Sequence, residues 1–266
     1  MQEFNRPLIS ILTPSFNQGR YIEQTITSIL KQDYARFEHI VIDGGSTDET
    51  IEVLKRYPHV KWISEPDKGQ ADALNKGFRM ATGDLIGWIN SDDFYAEGVF
   101  QRVADIFGDQ SVQWTIGDVV DYYDGTGTES YVSSETITYQ ALIRNPDILR
   151  QQGAFFRSEF IRKAGGWNAE FYMVMDFDIW LRMARLSAPL MTHEKTAFFR
   201  MHEEQKTQLR NLLRQSKEID CILIDHGASL LDRFRNRFKK RRLWATMTAI
   251  HILSSAGLLA PRHRLS

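Results

Sequence analysis

Two adjacent carboxylates, Asp92 and Asp93, follow a short apolar run at residues 85–89. Such a run is typical of a buried strand, and open α/β sheets bind ligands at the carboxyl ends of their strands. Adjacent carboxylates repel each other, so a divalent cation that carries phosphate oxygens is a natural partner for them. The same residues could instead form an acidic turn, or cap the helix predicted from about Gly98. The pattern by itself leaves both interpretations open.

Another carboxylate, Asp176, stands at the start of a segment with helical periodicity. Apolar residues recur through 177–184 at the spacing of one helix face, so the sequence predicts a helix that buries this face. The positive end of the helix dipole favours a carboxylate at this position. From the residues alone, a simple N-cap is therefore the default explanation for Asp176.

The elements that must position these carboxylates alternate between strands and helices. The hydrophobic pattern predicts strands at residues 8–13, 37–42, 60–64 and 85–89, separated by helices at 21–32, 50–57 and 70–80. Such alternation is typical of βαβ units in a mainly parallel central sheet flanked by helices. Downstream, the pattern predicts a helix at 98–107, antiparallel strands within 114–123, a loop-containing stretch at 131–145, a strand at 151–157, a helix at 175–184, a last strand at 198–202 and a helix at 209–224.

Polar loops follow three of the predicted strands, at residues 14–19, 43–48 and 90–93. Because the ends of parallel strands meet at one edge of a sheet, a nucleotide could lie across these loops. Asp43 could accept hydrogen bonds from its base or ribose, and Gly44 permits close backbone approach. The chain contains neither G-x-G-x-x-G nor G-x-x-x-x-G-K-[ST], which disfavours a dinucleotide oxidoreductase and a P-loop NTPase.

The bulk composition is that of an ordinary globular protein. The chain has 266 residues, 42% hydrophobic residues and a formal net charge of −1, which suits one large domain with an appendage and gives no nucleic-acid footprint. Its single cysteine, Cys221, excludes an intrachain disulfide and a cysteine metal cluster. The first six residues are polar and lack a signal-peptide pattern, so we expect a cytoplasmic protein.

The order and spacing of four motifs resemble the inverting family 2 glycosyltransferases of the GT-A fold. The motifs lie at residues 13–17 (TPSFN), 41–48 (VIDGGSTD), 65–69 (EPDKG, followed by Asn75 and Gly77) and 90–93 (NSDD). The resemblance extends over about residues 7–207. It implies a GT-A fold, a nucleotide-sugar donor, a divalent metal (Mn²⁺ or Mg²⁺) and inversion at the anomeric carbon.

The resemblance also implies roles for individual residues. Those expected to bind the donor are Pro14, Ser15, Asn17, Asp43, Gly44, Ser46, Asp67, Lys68, Asn75, Asn90, Ser91 and Lys206. The metal motif of the family usually reads Asp-x-Asp-Asp, whereas Asn90 stands in the first position here. Asparagine can bond a ribose hydroxyl or a metal-bound water but brings no charge. We therefore expect Asp92 to hold the metal, with Asp93 second.

The general base of these enzymes is an acid that often belongs to a Glu-Asp pair. Met175 replaces the glutamate here, so the resemblance assigns the base to Asp176. Inverting transfer needs one base to take the acceptor hydroxyl proton during in-line attack. His202 could ligate the metal or touch the diphosphate, and Lys206 could bind phosphate; a structural role for His202 remains open.

The C-terminal tail differs in character from the rest of the chain. We expect a glycosyltransferase domain at 7–226 and a helical tail at 227–266. Basic residues crowd positions 233–242, and a largely apolar stretch follows at 243–260. The segment from Arg233 to Ala260 could lie on an anionic membrane surface. It could equally form a helix that packs on the domain or on another subunit.

These observations together predict a sugar transferase. The donor would be a nucleotide-diphosphate sugar, with a UDP-sugar favoured over a GDP- or dTDP-sugar. The acceptor would be a hydroxyl in polysaccharide or lipid-linked glycan biosynthesis of the cell envelope, and the enzyme would be cytoplasmic or peripheral on the inner membrane face. One alternative is a nucleotidyltransferase, although residues 14–19 lack the basic glycine-rich loop that it would need. The other is a catalytically silent nucleotide-sugar-binding or assembly subunit.

Overall fold

The first half of the molecule has the predicted alternation of strands and helices. The structure, a computed structural model, describes residues 6–132, 137–146, 148–202 and 211–238. The elements up to the first carboxylate motif are β1 (Ile9–Ser15), α1 (Gly19–Leu30), β2 (Phe37–Asp43), α2 (Thr50–Lys55), β3 (Val60–Ser64), α3 (Gln70–Met80) and β4 (Leu85–Trp88). They confirm the predicted α/β class and the order of the elements.

The strands of this first half pair in parallel, in the order β3-β2-β1-β4. β1 and β4 are buried along their whole lengths, as expected of parallel strands covered on both faces. In the register of the sheet, Asp43 lies opposite both Ser15 and Ser64. The carboxyl ends of three strands therefore meet at one edge, and the polar loops begin there.

The second half adds strands that pair mostly antiparallel. Its elements are β5 (Phe94–Tyr95), α4 (Val99–Ile106), β6 (Trp114–Tyr123), β7 (Thr128–Val132), α5 (Tyr139–Arg144), a 3₁₀ turn (Gln151–Gly153), β8 (Ala154–Arg157), α6 (Ser158–Ala164), α7 (Met175–Leu186), β9 (Leu190–Met201), α8 (Leu212–Asp225) and α9 (230–238). β8 is antiparallel to both β4 and β6, while β6 and β9 run parallel. The full sheet has the order β3-β2-β1-β4-β8-β6-β9-β5, with β7 beside β6. It is mixed overall, and its parallel character is concentrated in the first half.

Two local features differ from the sequence-based expectation. The predicted strand at 151–157 begins as a 3₁₀ turn, and there the backbones of Gly153 and Gly117 approach closely: a Cβ on Gly153 would lie 2.2 Å from the Gly117 carbonyl oxygen. The stretch predicted to contain a loop holds helix α5, which starts after Thr138. The Thr138 hydroxyl accepts a hydrogen bond from the Ala141 N–H at 3.0 Å, so this N-cap was readable in the sequence.

A ladder of tryptophans fixes α7 against the sheet. Trp180 of α7 stacks on Trp114 with ring centroids 5.7 Å apart, and on Trp88 at 6.3 Å. All three side chains are fully buried. Large aromatic rings contribute much of the free energy of burial in a core. Because Trp88 ends β4 and Trp180 lies on α7, this packing brings the start of α7 towards the loop after β4.

Candidate active site

The first two polar loops are bonded to each other. The backbone N–H of Asn17 donates to the Ser46 hydroxyl at 2.7 Å, and the Asn17 side-chain oxygen accepts from the Thr47 N–H at 2.9 Å. Asn17 adopts a positive φ of 51°, which asparagine tolerates better than most residues. The predicted donor-binding residues Asn17 and Ser46 thus form one preorganised unit.

Asp43 lies at the centre of this unit and is fully buried. Its carboxylate accepts hydrogen bonds from the Gly45 N–H at 3.1 Å, the Ser46 N–H at 2.8 Å and the Ser64 hydroxyl at 2.6 Å. In this arrangement the carboxylate holds the loop in shape and has no exposed surface for a nucleotide. Its contact with a base or ribose stays a prediction.

The other residues of this region differ in accessibility. Pro14 is buried, as is Ser15, whose hydroxyl makes no hydrogen bond within the described residues. Asp67 is half-buried, and burial raises the pKa of its carboxyl although the Gly69 N–H bonds it at 2.7 Å. A Cβ on Gly44 would lie 2.9 Å from this carboxylate, so the close approach predicted for Gly44 is to Asp67. Lys68 is exposed.

Asn75 joins α3 to the turn before α7. Its side chain donates to the Trp167 carbonyl at 2.6 Å and accepts from the Trp167 N–H at 3.1 Å. A Cβ on Gly166, which has a positive φ, would lie 2.8 Å from the Asn75 oxygen. This paired bond positions the loop, and the predicted donor contact of Asn75 stays a prediction.

Asn90 and Ser91 begin the loop that follows β4. The Asn90 side-chain oxygen accepts from Gln70 Nε2 at 2.5 Å and from Trp88 Nε1 at 3.1 Å. Ser91 is buried, and its carbonyl accepts from the Thr25 hydroxyl at 2.9 Å. Both residues therefore fix the course of the loop that carries the carboxylate pair.

Asp92 lies beside His202. The carboxylate Oδ2 and the imidazole Nε2 are 3.1 Å apart, and the His202 ring packs on Tyr21. This separation suits two ligands in neighbouring positions around one octahedral ion, which binds at about 2.1 Å. His202 Nδ1 makes no hydrogen bond within the described residues, so nothing there fixes the tautomer. Nε2 can therefore donate to Asp92 or give its lone pair to an ion.

A metal here would need further ligands. Among the described residues, no group of three or more His, Cys, Asp or Glu side chains is placed to hold an ion. Mg²⁺ and similar ions commonly use one or two carboxylates together with substrate phosphates and water. The pair of Asp92 and His202 fits such an ion, provided that the donor diphosphate completes the shell.

The second carboxylate of the pair, Asp93, faces the interior. One of its oxygens accepts from Gln152 Nε2 at 2.7 Å, and the other from the Arg200 N–H at 2.9 Å. Burial, together with the neighbouring Asp92 carboxylate, raises the pKa of Asp93 well above its usual range. Asp93 thus links the loop after β4 to β9 and to the 3₁₀ turn, while Asp92 is the better placed for a metal.

Asp176 lines the same cavity as Asp92. This cavity has a volume of about 220 Å³; its walls combine polar side chains with the apolar surfaces of Trp88 and Phe177. Asp176 lies in the first turn of α7, as predicted, and its carboxylate accepts from the Phe177 N–H at 2.9 Å. The fold therefore brings the predicted base and the predicted metal ligand to one site.

Asp178 has a different environment. It forms a salt bridge with Arg182 at 2.6 Å, and Arg182 also donates to the Gly166 carbonyl at 2.7 Å. Asp178 is buried and is not among the residues that line the cavity. Of the two acids in the first turn of α7, Asp176 therefore lines the cavity, whereas Asp178 stabilises the fold through its salt bridge.

Among the cavity residues that the sequence reasoning missed are three consecutive ones before β8: Arg150, Gln151 and Gln152. The Arg150 guanidinium lies 4.7 Å from the centre of the Phe199 ring and 3.3 Å from Asp121. A signal was present, because two adjacent glutamines precede an apolar strand and were assigned to that strand. Lys206, predicted to bind phosphate, lies outside the described residues.

Solved structures of similar fold are known. A Staphylococcus aureus TarS fragment in complex with UDP superimposes with a TM-score of 0.63 at 16% sequence identity, covering 81% of this chain and 65% of that fragment. The mannosyltransferase PcManGT of Pyrobaculum calidifontis, in complex with GDP-Man and Mn²⁺, gives 0.61 at 19% identity over 97% of this chain and 77% of its own. At such identities these likenesses show the fold, which is GT-A.

Comparison of sequences identifies the family. An uncharacterized glycosyltransferase of Mycobacterium tuberculosis is 31% identical over 189 residues, which is 69% of this chain and 71% of its own. A chondroitin synthase of Escherichia coli is 26% identical over 77% of this chain but only 30% of its own length. The model of the Glycosyl transferase family 2 matches residues 10–165. The chain therefore belongs to the family 2 glycosyltransferases.

Proposed function

We propose that this glycosyltransferase is metal-dependent and inverting, and that it moves a sugar from a nucleotide-diphosphate donor to an acceptor hydroxyl. The observation that carries the proposal is that Asp92 and Asp176 line one cavity, although they belong to different halves of the fold. An inverting displacement requires the base and the diphosphate-binding group to flank the anomeric carbon. The presence of both acids at one cavity supports this arrangement.

Asp176 is the proposed general base. Its carboxylate takes the proton from the acceptor hydroxyl as the oxygen attacks the anomeric carbon. Its carboxylate accepts the Phe177 N–H bond in the first turn of α7, which orients it at the cavity. Asp92 and His202 would hold a divalent ion, which would supply positive charge for the leaving diphosphate. Asp93 is proposed to assist by holding the Asp92 loop.

The donor nucleotide is proposed to lie over the loops that follow β1 and β2. Asp67 and Lys68 are partly or fully exposed at this edge and are proposed to contact it, on the platform that Asp43 organises. Asn90 uses its side-chain oxygen inside the protein, which leaves its amide N–H groups for a ribose hydroxyl. We propose a UDP-sugar as donor. TarS has been solved with UDP-GlcNAc, whereas PcManGT has been solved with GDP-Man, so both nucleotides belong in the test.

The acceptor is proposed to be a growing polysaccharide or a lipid-linked glycan of the cell envelope. Support comes from the relatives, one of which is named a chondroitin synthase. The two alternatives make different predictions. A nucleotidyltransferase would need a basic loop after β1, but Phe16, Asn17 and Gln18 stand there. A silent binding subunit would bind the donor without ever hydrolysing it.

The decisive experiment is a thermal-shift panel followed by a hydrolysis assay. Wild-type protein is mixed with UDP, UDP-GlcNAc, GDP or GDP-mannose, each with and without Mn²⁺. A ligand that binds only the native state raises the melting temperature, and we expect the largest shift for a nucleotide sugar in Mn²⁺. Slow hydrolysis of the same sugar would exclude the silent subunit. A panel in which no nucleotide compound shifts the melting temperature would overturn the proposal.

We also propose that the C-terminal segment from Arg233 to Ala260 meets an anionic membrane surface on the cytoplasmic side. Helix α9 turns its polar side inward: Arg233 and Arg237 bind Asp220, and Asn236 donates to the Ile143 carbonyl. Its apolar side chains point outward and are 58–80% exposed; they are Leu230, Leu231, Phe234 and Phe238. An outward apolar face beside basic residues suits the boundary of a bilayer.

The structure changes one part of the membrane argument. Two arginines of the basic run, Arg233 and Arg237, bind Asp220 and so orient α9 on the domain. Residues 239–266, which hold the rest of the run and the apolar stretch, lie outside the described part. Within the described residues, no helix is both long and apolar enough to cross a membrane. The predicted boundary at residue 227 stays a prediction.

Vesicle sedimentation tests this second proposal. The full chain should bind vesicles of phosphatidylcholine and phosphatidylserine at low salt, and bind pure phosphatidylcholine less. The variant Leu231→Ser/Phe234→Ser should lose this binding and keep its melting temperature, because both side chains are exposed. If the wild-type protein does not bind anionic vesicles at low salt, the C-terminal segment instead packs on the domain or on another subunit.

A further inference from the structure

Gln151 is a buried polar side chain that the proposed mechanism does not use. It is 7% exposed and lines the cavity that contains Asp92 and Asp176. Within the described residues, neither its side-chain oxygen nor its side-chain nitrogen makes a hydrogen bond. Burial of an amide without a hydrogen-bond partner is unfavourable, so native proteins rarely keep one unless something else completes it.

The neighbouring Gln152 provides the contrast. It is 2% exposed, and its Nε2 donates to the Asp93 carboxylate at 2.7 Å. Gln152 thus bonds to the framework that holds the carboxylate loop. Both glutamines share one short turn and line the cavity, and the Gln152 side-chain oxygen also makes no hydrogen bond within the described residues. The difference is that Gln152 is bonded to the protein through its nitrogen, whereas neither polar atom of Gln151 is.

The turn that carries Gln151 has little freedom to move. Gly153 packs against Gly117, where a Cβ would come within 2.2 Å of a backbone oxygen. The bond from Gln152 to Asp93 fixes the same turn from its other side. The backbone at Gln151 is therefore fixed beside the cavity, which limits the ordering that a ligand must bring about there.

The cavity has the size and chemistry for one sugar ring. Its volume of about 220 Å³ is below the roughly 300–1,000 Å³ of pockets that hold whole drug-sized ligands. Trp88 and Phe177 supply apolar surface for the face of a ring. A carboxamide offers both a donor and an acceptor, which matches two neighbouring hydroxyl groups.

We propose that Gln151 binds the hydroxyl groups of the transferred sugar of the donor. The proposal rests on the proposed function, since the sugar that carries the anomeric carbon must lie between the diphosphate end at Asp92 and the base Asp176. Gln151 lines the space that these two acids share. It therefore contributes to recognition of the sugar and leaves recognition of the nucleotide to the loops after β1 and β2.

The test is the substitution Gln151→Met, which keeps the length of the side chain and removes both polar atoms. Dissociation constants are measured in Mn²⁺ by calorimetry for UDP, UDP-GlcNAc, GDP and GDP-mannose. We expect affinity for the free nucleotide to change less than about twofold, and affinity for the preferred nucleotide sugar to fall about tenfold. The melting temperature without ligand should stay the same or rise, because a buried amide without a partner has been removed.

Gln152→Met is the matched control. It breaks the bond to Asp93 and should lower the melting temperature without ligand. The proposal is overturned if Gln151→Met binds the nucleotide sugar as tightly as the wild type, if it weakens the free nucleotide equally, or if it destabilises the protein as much as Gln152→Met. Failure of the proposed function looks different, because then no nucleotide compound binds even the wild type.

Discussion

The two halves of the molecule use polar residues in opposite ways. In the first half, Asp43, Asn17 and Ser46 bond to one another and form a rigid platform. In the second half, the turn before β8 leaves the Gln151 amide without a partner among the described residues. The loops after β1 and β2 thus bond these polar groups to one another, whereas the turn before β8 presents the Gln151 amide to the cavity.

This difference teaches how a motif-rich region should be interpreted. Residues that mark the family at strand ends need not touch the ligand, because a loop that positions a ligand must itself be held. Asp43 and Asn75 have such a holding role, since Asp43 bonds backbone N–H groups of its own loop and Asn75 bonds the backbone of Trp167; their contact with the donor stays a prediction. The proposed metal ligand Asp92 and the proposed base Asp176 line the same cavity.

The strongest test of the comparison is Asp92→Ala, at the junction of the two halves. If Asp92 holds an ion that neutralises the diphosphate, transfer should fall by at least about 10³-fold, since such charge stabilisation is worth several kcal/mol. Binding of a UDP-sugar in Mn²⁺ should weaken as well. Transfer rate and donor affinity are measured across a Mn²⁺ titration. Near-normal activity of the variant throughout the titration would contradict the assignment of Asp92 as a metal ligand.

The next test concerns the second half and its base. Asp176→Asn keeps the shape of the side chain but cannot accept a proton, so the transfer rate should fall about 10²- to 10⁴-fold. Donor affinity should change little, because the base acts on the acceptor. Rates and affinities are measured with one working acceptor.

Asp178→Asn is the control for this experiment. Loss of its salt bridge with Arg182 should lower the melting temperature, while activity per folded molecule stays close to that of the wild type. If Asp178→Asn abolishes transfer and Asp176→Asn remains active, the base has been placed on the wrong carboxylate.

The third test asks whether Asp43 supports nucleotide binding by holding its loop in shape. Asp43→Ala leaves the N–H groups of Gly45 and Ser46 without their acceptor, which should cost a few kcal/mol of folding stability. The donor KM should rise more than kcat falls, because contacts with the nucleotide are equally strong in the ground state and in the transition state. Calorimetry and melting curves are recorded together. A large loss of UDP affinity at unchanged melting temperature would reveal direct contact.

The smallest effect on function is expected at Glu38, which supports the parallel strands. Burial favours its neutral form, but bonds from Lys61, Ser10 and Thr82 outweigh this and lower the pKa of Glu38 to about 2. A carboxyl with a lowered pKa in the folded state stabilises the protein above its unfolded pKa, near 4.5. This stabilisation, at most about 3 kcal/mol, is lost as the pH falls from there towards 2.

Urea unfolding at pH 7 and pH 3 measures this contribution. Glu38→Gln should lower the free energy of unfolding at pH 7 and lower it less at pH 3, with transfer per folded molecule unchanged. Glu52→Gln, on the exposed surface of α2, controls for the loss of one negative charge. A Glu38→Gln effect of equal size at both pH values would contradict the assignment.

The sequence by itself determined the fold class and the neighbourhood of the site. Periodicity predicted the alternating first half, since parallel strands buried on both faces are continuous apolar runs. The motifs placed Asp92 after β4 and Asp176 at the start of α7, where the structure has them.

Only the tertiary structure decided which polar residues point where. Sequence spacing is silent on contacts between distant segments, so it could not show that Asp93 faces Gln152 or that Asn75 holds Trp167. It also missed Gln151, because the sequence does not distinguish a glutamine that faces a cavity from any other glutamine before an apolar strand. Hydrogen bonds between segments form only when the chain is folded, and they decide which groups remain for a ligand.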